Sequence, residues 1–173
     1  MYIKQSELFM GTSMNFVKKF MDISEMSSHK KGEVLFREND RAEIFFILLN
    51  GRVRLTAGKP EQVVYNAERN GEAFGWSSLI GRSVYSASAE CLEPTKLLKT
   101  ASKRLALILE EDPEDAMIFF KQLAATLGNR LLEVYKVISM ETEVRKQKSE
   151  VRCQINCFIW IYSSVFCPLS SVF

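Results

Sequence analysis

The chain has 173 residues, 47% hydrophobic and 25% charged, enough for one globular domain with an appendage and too few for two full-sized domains. Its 23 basic and 21 acidic residues give a formal charge of +2, so no overall field favours nucleic acid. One histidine and four cysteines, three of them (Cys153, Cys157 and Cys167) near the C-terminus, exclude a disulfide framework and a His-Cys metal set for the body of the chain.

In chain order, Met1 to Met10 lacks the continuous apolar core of a signal peptide, and the chain is expected to be cytoplasmic. Ser13 followed by Met14, Phe16, Val17, Phe20 and Met21 predicts a capped helix with one apolar face. Gly32 to Arg37 and Glu43 to Leu49 predict strands around the turn Glu38-Asn39-Asp40. Asn50-Gly51 then predicts a tight hairpin with Arg52 to Thr56 as the return strand, because both residues tolerate positive φ. Gly58-Lys59-Pro60 is the next turn and Glu61 to Asn66 the next strand. Gly71 to Ala89 has the composition of a small anion cradle or of a plain Gly-rich turn: a glycine that lets backbone approach a ligand, a short helix starting at Ser77 or Ser78 with free N–H groups, and small residues from Ser86 to Ala89 that alternate like a strand. Cys91 reads as a small buried apolar residue, and Lys96 to Lys99 as a last strand after Pro94. About eight short strands at regular spacing predict a sandwich or jelly-roll β-barrel.

Beyond Thr100 the hydrophobic period changes to 3.6, with a short helix through Leu105, Ile108 and Leu109 to Glu111. Asp112-Pro113 then caps a longer helix. On it Phe120, Ala124, Leu127, Leu131, Val134 and Ile138 follow coiled-coil seam spacing, which suits either a homodimer through residues 120–138 or packing on the chain's own barrel. The domain expectation is therefore an extension over 1–12, a domain over 13–140 including the long helix, and an end region over 141–173.

The runs Lys31 to Asp40, Ile44 to Val53 and Gly71 to Gly75, in this order, resemble the cyclic nucleotide-binding domain, in particular the sensor domains of bacterial regulators of the catabolite-activator type. The resemblance covers about residues 14–140 and implies a jelly-roll barrel with flanking helices, a phosphate-binding cassette between two strands, and a long C-terminal helix that closes over the ligand. It implies a non-enzymatic sensor of cyclic AMP or another cyclic nucleotide, with no further cofactor and no metal. Carried over, it places Phe74 and Gly75 on the cassette's Phe-Gly, Ser77, Ser78 and the residues to Ile80 on its short helix, Ser86 and Ala87 on its closing small residues, and Asn129 and Arg130 at the helix position of polar base contacts. Two positions depart from the family pattern: Trp76 stands where an acid accepts the ribose hydroxyl, and Tyr85 where an arginine pairs with the phosphate. Arg82, three residues upstream in the same loop, suits either a substitute cation swung into the cradle or a solvated loop arginine.

No enzymatic constellation is visible, and His29, beside Lys30 and Lys31 in a polar turn, reads as solvated. The residues after Ile138 are too few for the helix-turn-helix domain of related transcription factors, which argues against DNA binding by this chain. Residues 153–173 carry no charge, and suit a membrane anchor, a strip packed on a partner, or the altered end of a longer regulator. A ligand-free dimerisation scaffold is the remaining alternative, with Trp76 filling the sugar position.

Overall fold

Phe45, Phe46, Ile47 and Leu48 are consecutive and all buried, so the strand they form has core on both faces. In a computed structural model that describes residues 6–59, 61–136 and 138–139, this strand is β3 (Ile44–Asn50). The other strands are β1 (Ser24–His29), β2 (Val34–Phe36), β4 (Val53–Ala57), β5 (Gln62–Ala67), β6 (Ala73–Phe74), β7 (Ser88–Cys91) and β8 (Thr95–Ala101). They form two four-stranded antiparallel sheets, ordered β1-β8-β3-β6 and β2-β7-β4-β5, the jelly-roll arrangement expected from the strand spacing. The chain divides into two units, Met1–Arg130 and Leu131–Phe173. In the first unit the strands are joined by α1 (Met14–Ile23), α2 (Ser102–Glu111) and α3 (113–130). In the second, residues 131–136 and 138–139 are helical, and the expectations for the tail at 141–173 fall outside the described residues.

Period-two alternation sends the side chains of β3 to two different cores. Phe45 and Ile47, with Leu98 of β8, join Phe16 and Phe20 of α1, Leu105 and Ile108 of α2, and Phe119 and Leu123 of α3. Phe46 and Leu48, with Leu97, join Phe36, Val53, Leu55, Phe74, Tyr85, Ala89 and Cys91 between the sheets. Each large side chain removed from water in this way contributes about 1.5–3 kcal/mol, which is why a four-residue apolar run can anchor both layers. Cys91 is buried, as its apolar neighbours imply.

The structure departs from the sequence reading or adds to it at four places. Asn50-Gly51 does not close a hairpin: β3 pairs with β6 and β8, while β4 pairs with β5 and β7, so the glycine marks the crossing from one sheet to the other. Gly51 has φ +107°, and a Cβ there would lie 2.7 Å from the Thr95 Cα, so packing as well as conformation demands glycine. Strand β1 has no apolar alternation to announce it; six cross-strand partners on β8, from Ser24↔Thr100 to His29↔Thr95, impose it. The extension expected at 1–12 is not separate, because Leu8 and Phe9 are buried in the helix-side core. The strand expected from Ser86 begins at Ser88, since Ser86 and Ala87 are still bending away from the preceding loop.

Helix α1 starts at the predicted cap, with Ser13 Oγ accepting the Phe16 N–H at 3.1 Å. The cap is itself held from α3: Asp115 Oδ1 accepts the Ser13 N–H at 2.7 Å and Oδ2 accepts the Ser13 hydroxyl. Asp115 is 6% exposed, so truncating it removes both bonds that tie the α1 cap to α3 and leaves a cavity between the helices. Asp115→Ala is expected to lower unfolding free energy by about 2–3 kcal/mol in a urea titration, and Asp115→Asn by less, because the amide oxygen still accepts one bond.

Candidate functional site

The cassette grows from β6. Phe74 pairs with Phe46 across the sheet, their rings 5.2 Å apart and parallel to within 2°, which fixes where the chain leaves the sheet. Gly75 follows with φ +73°, and a Cβ there would come within 3.0 Å of the Ile44 carbonyl oxygen and of the Phe46 ring. A single 3-10 turn, Trp76–Ser78, replaces the short helix expected at Ser77 to Ile80 and begins one residue earlier. The Ser78 hydroxyl donates to the Gly75 carbonyl at 3.0 Å, and the Arg82 N–H donates to the Ser77 carbonyl at 3.2 Å, so the loop folds back on its own start. Ser77 is buried, with its Oγ 3.5 Å from that of Ser86. The loop's exit is zipped to residues 39–42: the Ala42 N–H donates to Ser83, the Tyr85 N–H to Asp40, and the Asn39 N–H to Tyr85.

The two departures from the family pattern are both packed inward. Tyr85 is 4% exposed; its hydroxyl donates to the Ile44 carbonyl at 2.8 Å and accepts the Ile44 N–H at 3.1 Å. Its ring stacks on Phe36, centroids 3.8 Å apart, and burial pushes its phenol above the usual range. The side chain is thus an element of the inter-sheet core, with both hydrogen-bonding roles of its hydroxyl already filled. Trp76 packs half-buried against the helix-side core. Phe74 is fully buried, Ala87 half-buried, and Ser86 and Arg82 exposed. Beside the loop lies an open groove of about 450 Å³, lined by Glu38, Asn39 and Gly81 to Ser86. Its volume falls within the range of small-ligand sites, roughly 300–1,000 Å³. Among its lining residues Arg82 is the one cation and Glu38 the one acid.

Helix α3 reaches the cassette through Arg130. Its Nη2 donates to the Ala73 carbonyl at 2.6 Å, its guanidinium carbon lies 4.1 Å from the centre of the Tyr65 ring, and its Nε is buried without a hydrogen-bond partner. Asn129, its neighbour, is exposed. Sequence reasoning missed the group beneath. Glu72 Oε1 accepts from the Tyr65 hydroxyl at 2.7 Å and from Arg69 Nε at 2.9 Å, while Oε2 accepts the N–H groups of Glu68 and Arg69. The signal available was an acid and an arginine three residues apart across the Asn70-Gly71 turn.

Burial raises the Glu72 pKa, but the bonds from Tyr65, the two backbone N–H groups and Arg69 outweigh it, so the carboxyl sits below its ordinary value. A depressed folded pKa gives stability that is complete above the unfolded pKa and is lost as pH falls through the folded one. Melting temperatures of wild type and Glu72→Gln are therefore expected to differ most near neutral pH and to converge below the usual carboxylate range, as recorded by circular dichroism across pH 3–7.

The model of the cyclic nucleotide-binding domain matches residues 26–112, half of the chain. A Geobacter metallireducens crystal structure named for cyclic nucleotide binding is 28% identical, with a TM-score of 0.67, covering 74% of this chain and 94% of that one. The Thermus thermophilus catabolite activator protein is 25% identical, with a TM-score of 0.64, over 79% of this chain and 63% of that one. Potassium channel KAT1 of Oryza sativa subsp. japonica is 25% identical over 129 residues, 74% of this chain. The chain spans no more than 18% of the length of such curated relatives. Among the described residues no helix is long and apolar enough to cross a membrane, and no cluster of His, Cys, Asp and Glu could hold a metal ion. With its two-sheet jelly roll, its Phe74-Gly75 cassette and the match over residues 26–112, the chain belongs to the cyclic nucleotide-binding domain family.

Proposed function

We propose that the chain is a regulatory module that takes a cyclic nucleotide or a related small phosphate at the cassette and relays occupancy through α3. The observation that carries this reading is the Arg130 bridge, which ties the helix to β6 at the carbonyl of Ala73, two residues before Gly75. A ligand that reshapes the 76–82 loop changes the footing of that bridge, so it has a differential affinity for the two positions of the helix, as any population shift requires. In the groove, Arg82 is the cation that would meet an anionic group. Cyclic AMP and cyclic GMP are the first ligands to examine. The reader of the signal would be a second copy of the chain: in the second unit Leu131, Val134 and Ile138 are exposed at the seam spacing noted above.

A second reading is favoured by one specific observation, the sealed hydroxyl of Tyr85, which removes the family's phosphate partner from the cradle. On that reading the module is a ligand-free scaffold. A melting screen with cyclic AMP, cyclic GMP and cyclic dinucleotides separates the two. At a hundred times the dissociation constant a ligand stabilises by about 2.7 kcal/mol, so a rise of several degrees is expected for at least one nucleotide. Arg82→Ala is expected to weaken that binding about tenfold or more, the scale of a lost charge-assisted bond. A flat screen at millimolar concentrations would favour the scaffold.

A further inference from the structure

Away from the cassette, three side chains at the β1–β2 turn form an array that the regulatory reading does not use. Ser27 Oγ lies 2.9 Å from His29 Nε2, and His29 Nδ1 lies 2.6 Å from Glu33 Oε1. Glu33 Oε2 accepts the Lys30 N–H at 2.9 Å, so both of its oxygens are held. The bond from His29, with that from Lys30, lowers the Glu33 carboxyl below its ordinary value. A carboxylate at Nδ1 keeps the proton on that nitrogen and leaves the Nε2 lone pair facing the serine hydroxyl. Hydroxyl, imidazole and carboxylate thus stand in the order that makes a serine nucleophilic.

The backbone fixes this order. Ser27 and His29 are two residues apart on β1 and share a face, opposite Leu97 and Thr95 of β8, both buried. The turn is tied to the end of β7, with the Gly32 N–H donating to the Cys91 carbonyl and the Cys91 N–H to that of Glu33. The His29 side chain is only 14% exposed, which overturns its reading as a solvated turn residue, and Ser27 stays half-exposed on the outer strand of its sheet. Ser28 points to the other face, as alternation requires, and has no such partners among the described contacts.

We propose that Ser27 is a nucleophilic serine that takes an acyl group from activated acyl donors, thioesters and aryl esters, with His29 as general base and Glu33 as a positioning residue. Ser27 Oγ attacks the acyl carbon while its proton passes to His29 Nε2. The bond from that carbon to the leaving sulfur or oxygen then breaks, and the departing group takes the proton from Nε2. Water activated by the same imidazole returns the free serine and a carboxylic acid. The edge position leaves the site open, so donors whose leaving groups depart readily are favoured.

The test treats the full chain with p-nitrophenyl acetate and locates the acetyl group by peptide mass spectrometry over time. Acetylation of Ser27 in clear excess over Ser28 in the same molecule is expected, a comparison that needs no variant to fold. His29→Asn is expected to slow Ser27 labelling by about 100-fold or more, the scale of general base assistance. Glu33→Gln is expected to slow it while the protein stays folded, and Glu33→Asp to recover part of the rate. Equal labelling of Ser27 and Ser28, acetyl groups confined to Lys30, Lys31 and other amines, or unchanged labelling in a folded His29→Asn variant would each overturn the proposal.

Discussion

The backbone of one residue carries both ends of the cassette. The carbonyl of Ile44, at the start of β3, lies where a Cβ on Gly75 would press at 3.0 Å, and it accepts the hydroxyl of Tyr85, which in turn accepts the Ile44 N–H. The loop from 75 to 85 is therefore clamped at its entrance by close packing and at its exit by a two-way hydrogen bond. Because β3 is buried on both faces, the clamp rests on a strand that feeds both cores. Loss of either end frees the loop from the strand that feeds both cores.

That clamp explains how the family's cassette persists without its arginine. In a cradle of the usual kind the exit residue offers charge to the ligand; here it offers an aromatic face to Phe36 and a hydroxyl to the backbone. The conformation of the loop is held by the protein's own groups, and positive charge near it comes from Arg82 on the loop and Arg130 on the helix. Arg130 has a carbonyl and an aromatic ring as its partners, while Glu72 is held by Tyr65, Arg69 and two backbone N–H groups. A guanidinium with a buried, unpartnered Nε is costly in isolation, so the carbonyl of Ala73 and the ring of Tyr65 carry the compensation.

Much of the barrel was legible because its strands announce themselves by alternation and by the turns between them. The run from Ile44 to Leu49, the β4–β5 turn at Gly58 and the start of α3 at Asp112-Pro113 are local facts of the chain. What was not legible depends on partners distant in sequence. Ser24 to His29 becomes a strand only because β8 offers a free edge, and Asn50-Gly51 carries the signal of a hairpin while the sheets pull its two strands apart. At the site, Tyr85 could be seen to replace an arginine, but not that its hydroxyl would be consumed by Ile44. The array of Ser27, His29 and Glu33 was hidden for the same reason: its spacing matches no motif, and only the turn held by Cys91 closes it.

The coupling of cassette to helix is the central claim, and amide hydrogen exchange reads both ends of it at once. With cyclic AMP or cyclic GMP added to the full chain, exchange is expected to slow together in residues 71–89 and in the turns of α3 around Arg130, and an Arg130→Ala variant is expected to keep the first change while losing the second. Slowing confined to 71–89 in the wild type, or no change in either segment, would contradict the account.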